Sequence, residues 1–219
     1  MGFFDISLPP VIAYVSLLGA VALIFRDLKA APWKRLGGPG AFSAWCFAMI
    51  TLPLLWSMDV RIGNGLALHL LGMPLFVLMF GRRLAMVGFS LAVLAYTLLQ
   101  EGRWVNIGMN LLLLAVLPAY CGDFVMRATR RFLPRHLFVY LLGNGFFGAM
   151  VMLAAIDLTA FAAHRLWAAA APVGVDTLAY MLLLAWGEAF LTGFLLTIFT
   201  VYRPQWVLTF DDAVYLRGK

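Results

Sequence analysis

Apolar residues in this chain come in long unbroken runs, near Leu8–Phe25, Ala41–Met58, Leu66–Phe80, Leu84–Gln100, Val105–Met126, Leu137–Ala163 and Val175–Val201. Short polar loops separate them. The every-second-residue alternation of a transmembrane β-barrel is absent. In hydrocarbon such a run must satisfy its backbone N–H and C=O groups within itself, which a helix does. The pattern therefore predicts an all-α polytopic transmembrane bundle of about seven helices, a single domain over residues 1–219 with 203–219 as its tail. The third run is the shortest. Fifteen residues at a rise of about 1.5 Å reach about 22 Å, less than a hydrocarbon core of about 30 Å, and Pro74 interrupts the run. This segment is expected to kink or to stop short in a water-filled recess.

Charge orients the bundle, because Lys and Arg accumulate in cytoplasmic loops. Loops one, three and five and the tail hold Arg26, Lys29, Lys34, Arg35, Arg82, Arg83, Arg127, Arg130, Arg131, Arg135, Arg203, Arg217 and Lys219. The other loops hold only Arg61, Arg103 and Arg165. Thirteen against three places the N-terminus outside and, with an odd helix count, the C-terminus in the cytoplasm. A content of 64% hydrophobic and 12% charged residues agrees with lipid as the main solvent; the expected location, which composition does not specify, is a bacterial-type inner (plasma) membrane, crossed several times. The net charge of +6 lies in the loops rather than on one soluble face, so anionic lipid is an expected partner and nucleic acid is not. The first basic residue, Arg26, follows the first run, which lacks a signal peptide's cationic lead and is expected to be retained. Cys46 and Cys121 fall within or at the end of runs, as small buried hydrophobes do.

Catalytic signatures are missing. There is no Gly-x-Ser-x-Gly, no His-Glu-x-x-His and no nucleotide-binding Gly-x-x-x-x-Gly-Lys-Ser/Thr, so an enzyme is not expected, and any ATP must be bound by another subunit. Ionisable groups inside a bilayer are costly and mark pathways or sites. His69 lies four residues into the third run, near the outer face, after Gly63-Asn64-Gly65. On a helix its four-residue offset to Met73 puts imidazole and thioether on one face, a pair suited to a soft or borderline transition metal; the alternative is a hydrogen-bonded packing histidine. Asp157, toward the outer end of the sixth run, and Glu188, near the middle of the seventh, serve either a site or a polar contact within the bundle. Asp5 is on the outer side, where it completes a site or caps a helix beside Pro9 and Pro10. Asn110 and Asn144, close to glycines, are expected at helix contacts.

These residues also carry a resemblance. Gly65-Leu66-Ala67-Leu68-His69-Leu70-Leu71-Gly72 resembles the Gly-His-Leu-Leu-Gly segment of the CbiM/NikM family, the substrate-capture membrane subunits of energy-coupling-factor cobalt and nickel transporters. Asn106-Ile107-Gly108-Met109-Asn110 is similar to that family's Leu-Gly-Ala-Asn segment, Glu188 with Thr192 to its late Glu-x-x-x-Thr helix, and Tyr202-Arg203-Pro204-Gln205 to its Arg-Pro-Glu ending. The opening Met1 to Pro10 matches the family's start in length, with Leu8 and Pro10 in register. The resemblance implies a metal held in a square of nitrogens: the N-terminal amine, the amide and imidazole of the second residue, and a histidine that corresponds to His69. Position two here is Gly2, so one imidazole is missing. A small residue after Met1 also favours its removal, which makes Gly2 the free amine. The resemblance thus implies a site of His69 with the amine of Met1 or Gly2, completed by Asp5, Met73 or Asp157, or else a substrate other than nickel or cobalt.

The expected function is the substrate-specific permease component of an energy-coupling-factor ABC transporter, capturing a transition-metal ion at the outer face for import. A coupling transmembrane subunit and cytoplasmic ATPase subunits are the expected partners, the ion is the substrate, and no permanent cofactor is expected. The rival reading is a solo channel or accessory assembly protein of the same fold, without high-affinity capture.

Overall fold

The computed structural model describes residues 2–4, 8–58, 60–62, 66–100, 102–167 and 174–215. Six helices build the bundle: α1 (Pro10–Lys29), α2 (Ala41–Trp56), α3 (Met73–Leu99), α4 (Trp104–Phe132), α5 (Val139–Trp167) and α6 (Val175–Tyr202). All but α2 are long and apolar enough to cross a membrane. Outward faces carry large apolar side chains, Leu18, Phe47, Phe147 and Phe190 among them, all more than half exposed. Such a surface would aggregate in water, whereas lipid is its natural solvent. The chain is an all-α polytopic bundle, as the runs predict.

The third run departs from its prediction. Leu66–Phe80 is not one helix: β1 (Val60–Ile62) and β2 (Leu66–Leu68) pair antiparallel, with Val60 opposite Leu68, and helix begins only at Met73. The Gly63-Asn64-Gly65 turn lies outside the described residues. Pro74 does not interrupt a helix but starts one, in a first turn where its missing N–H has no partner to lose. The predicted third and fourth runs then form a single element, α3, broken at Gly81 (φ 77°, ψ 166°). The Phe76 and Phe89 rings lie 5.1 Å apart across this break. A straight helix would separate them by about 20 Å, so the chain reverses at Gly81, a backbone angle that favours glycine. The result is a helical hairpin with a short arm, 73–80, and a long arm, 82–99. At about 12 Å the short arm cannot span a bilayer, so it does stop short. With the arms counted separately, the bundle has seven helical segments among the described residues, as many as the predicted runs, but only five helices are long and apolar enough to cross a membrane.

Polar contacts tie the basic end together. Arg82 at the hairpin turn reaches buried Asp27 of α1 at 3.3 Å and Asp123 of α4 at 3.4 Å. The segment after α6 folds back beneath the short arm. Leu208 N–H donates to Met79 O at 2.6 Å, the Thr209 hydroxyl donates to Leu78 O, and Arg130 Nη2 donates to Thr209 O at 2.9 Å. On the other flank α1 and α4 meet almost backbone to backbone, because a Cβ on Gly108 would collide with the main chain of Leu17. This contact sets α4 where its first turns reach the chain's beginning.

Candidate functional site

His69 is 3% exposed and belongs to the irregular link between β2 and α3, facing protein rather than lipid. Three features fix this link. Glu188 of α6 accepts the Leu71 N–H at Oε2 and the Gly72 N–H at Oε1, each at 2.7 Å. Trp56, the last residue of α2, donates its indole N–H to Leu71 O at 2.8 Å. Gly72 has φ +67°, and a Cβ there would stand 2.8 Å from Leu52 Cδ2, so both backbone angle and space call for glycine. Glu188 therefore anchors the link. Both of its oxygens accept, as those of an ionised carboxylate do, and the two donors offset the cost of burying it. The His69 ring is flanked by Trp56 and Tyr96, with centroids at 5.9 and 6.2 Å. Burial holds its imidazole pKa well below the ordinary value, which keeps the ring uncharged at neutral pH.

The chain's beginning is docked at the same end. Phe3 N–H donates to Asn110 Oδ1 at 2.6 Å, while Asn106 Nδ2 donates to Phe3 O at 2.8 Å. Leu8 N–H donates to Asn106 Oδ1 at 3.3 Å, and Arg103 N–H to Phe4 O at 3.0 Å. Asn110, expected only at a helix contact, is instead a backbone clamp. Phe4 meets Tyr96 edge-on at 4.8 Å, so one tyrosine ring contacts both this segment and His69. A Cβ on Gly2 would collide with the Phe4 ring and come within 2.9 Å of Asn110 Oδ1. Any side chain at position two, histidine included, requires both to move.

The other expected donors are distributed as follows. Asp157 is 1% exposed, and neither of its oxygens has a hydrogen-bond partner among the described residues. Met73 is buried at the start of α3, but residues 66–72 are not helical, so the shared helix face assumed for His69 and Met73 does not exist. Met1 and Asp5 lie outside the described residues. Among the described residues, no three His, Cys, Asp or Glu side chains are grouped as a metal site would require. Sequence reasoning passed over His164, which is 1% exposed on α5 and stacks on Phe3 at 4.0 Å with an interplanar angle of 21°. Its one signal was its place seven residues after Asp157, on the same helix face. What the structure offers chemically is two buried imidazoles, His69 against Trp56 and Tyr96 and His164 against Phe3.

Comparison with known proteins bears on the family and the fold. The family described as "CbiM: Cobalt uptake substrate-specific transmembrane region" matches residues 2–206. A crystal structure described as a transition metal transporter has a TM-score of 0.74 at 18% identity, with 100% of each chain covered. Another, described as a truncated transition metal transporter, has a TM-score of 0.69 at 17% identity and covers 92% of this chain and 98% of that one. At these identities the structures speak for the fold. No curated protein matches the sequence.

Proposed function

This chain belongs to the CbiM family of cobalt-uptake substrate-specific transmembrane regions, and from that premise we propose that it captures a transition-metal ion of the cobalt and nickel kind at its outer face for import. It is a multi-pass membrane component of metal transport rather than an enzyme. In the proposed site His69 donates from the Glu188-bound link, and the amine of Met1 or Gly2 is the second donor. Asp157, Asp5 and Met73 are the remaining candidate donors. A bacterial-type inner membrane is its proposed location.

One observation carries this reading: the link that bears His69 and the segment that begins the chain are each hydrogen-bonded in place at the same end of the bundle, and both reach Tyr96, through His69 and through Phe4. A buried imidazole held neutral is a ready ligand, and neutral donors take up a cation without first burying negative charge. Import needs a drive, and no nucleotide-binding motif is present. We assign that drive to a coupling membrane subunit and cytoplasmic ATPase subunits, as in energy-coupling-factor transporters. An arginine-rich cavity of about 910 Å³ at the basic end, where five arginines, Arg35, Arg82, Arg127, Arg130 and Arg135, outnumber Asp123 and Asp211, supports contact with an acidic cytoplasmic partner there. The short arm of α3 runs from the His69 link to this end, where the fold-back segment grips it.

Substituting His69→Ala abolishes Co(II) binding by the purified protein on this reading; unchanged stoichiometry and affinity would remove His69 from the site. The glycine at position two favours a second reading, a solo channel or accessory protein of the same fold. That protein binds no Co(II) with high affinity and copurifies with no ATPase, and adjacent reading frames for an ATPase and a coupling subunit would count against it.

A further inference from the structure

We propose that His164 is a ligand of the captured ion, supplying from α5 the imidazole that position two lacks. The inference rests on the capture reading above and deepens it.

His164 is 1% exposed, and neither ring nitrogen has a hydrogen-bond partner among the described residues. A neutral imidazole has one donor and one acceptor, and buried polar atoms are almost always satisfied, so two orphans on one ring require an explanation. A metal ion answers the acceptor nitrogen directly. The ring is also held in place: it stacks on Phe3 at 4.0 Å, and Asn106 and Asn110 hold the Phe3 backbone. Its imidazole therefore stands against the residue next to position two, on the segment whose amine the capture reading makes a donor. Gly2 leaves no side chain there, and a Cβ would strike Phe4 and Asn110. An imidazole can reach this region only from elsewhere in the fold, and α5 brings one.

Asp157 points to the same helix face independently. It lies seven residues before His164, is equally buried, and has both oxygens without partners among the described residues. A face meant only for packing has no use for an orphaned carboxylate and an orphaned imidazole two turns apart. A divalent cation with borderline ligand preferences suits the imidazole; Asp157, about 10.5 Å along the axis, marks the same face without sharing the ion with His164. An imidazole used only for packing would instead satisfy its nitrogens with trapped water, and the test separates the two.

The full-length protein is purified and loaded with Cu(II), and pulsed electron paramagnetic resonance counts the bound imidazoles; Co(II) affinity is measured in parallel for wild type, His164→Gln and His69→Ala. Two imidazoles in wild type, one in His164→Gln, and a Co(II) affinity at least tenfold weaker in His164→Gln support the proposal. One imidazole in wild type overturns it, and because this count needs no variant it decides even if His164→Gln fails to fold. Unchanged Co(II) affinity in His164→Gln beside lost binding in His69→Ala overturns the role of His164 and leaves capture by His69 standing. Wild type that binds neither metal overturns both.

Discussion

Glu188→Gln is the sharpest probe of how the link that bears His69 is held. The substitution keeps shape and volume but exchanges one acceptor oxygen for an NH₂ group, which then confronts a backbone N–H. In the native arrangement the Leu71 and Gly72 N–H groups each reach a Glu188 oxygen at 2.7 Å. A hydrogen bond to a charged group contributes about 1.5–3 kcal/mol, and one such bond is lost outright. If the link must be ordered for His69 to act, this loss enters the binding equilibrium. At about 1.4 kcal/mol per factor of ten, affinity for Co(II) falls about 10- to 100-fold, the range found when residues behind a metal ligand are changed. Stoichiometry stays the same, since His69 is still present.

Calorimetric titration of the purified protein with Co(II) measures both quantities. Glu188→Ala, which strands both N–H groups in a buried place, should lower the affinity further, so the order is wild type, Gln, Ala. A Gln variant with wild-type affinity would refute the reasoning, because the link would then keep its shape without the carboxylate. Equal losses in Gln and Ala would refute it too, since hydrogen bonding would not be what distinguishes them.

Two further outcomes follow from the same geometry. Asn110→Leu leaves the Phe3 N–H without its acceptor at a cost of about 1–3 kcal/mol, so protection of that amide from hydrogen exchange should fall with the affinity for Co(II); full protection would show that the segment is held by packing alone. In the metal-free protein, burial depresses the folded-state pKa of His69. Below about pH 6.5 the unfolded chain takes up a proton that the folded one refuses, so the contribution is complete above that value and is lost as pH falls toward the folded one. The unfolding midpoint should therefore drop between about pH 7 and pH 5, and His69→Phe should flatten part of that drop; parallel profiles would speak against it.

What the sequence displayed and what it concealed divide along one physical line, the distance over which each feature is written. Helices announce themselves by continuous apolar runs, and the basic loops announce their side, because both signals are local. The role of Pro74 was not local. Read as a break inside Leu66–Phe80, it turned out to open α3, since a proline's effect depends on which side of it the helix lies. Gly81 was equally silent: a glycine among apolar residues carries no mark of the reversal that it makes.

The candidate site is less legible still, because its holding contacts join residues about one hundred positions apart. Glu188 to Leu71, Asn110 to Phe3 and Asn106 to Phe3 cannot be inferred from any period in the chain. His69 was visible because a local motif surrounds it. His164 was not, since an imidazole in the last turn of an apolar helix reads as a boundary residue until the fold lays Phe3 upon it. The absence of a histidine at position two therefore cannot be weighed from the sequence alone. What stands beside that position is decided by α4, whose asparagines hold the Phe3 backbone, and by α5, whose His164 stacks on the Phe3 ring.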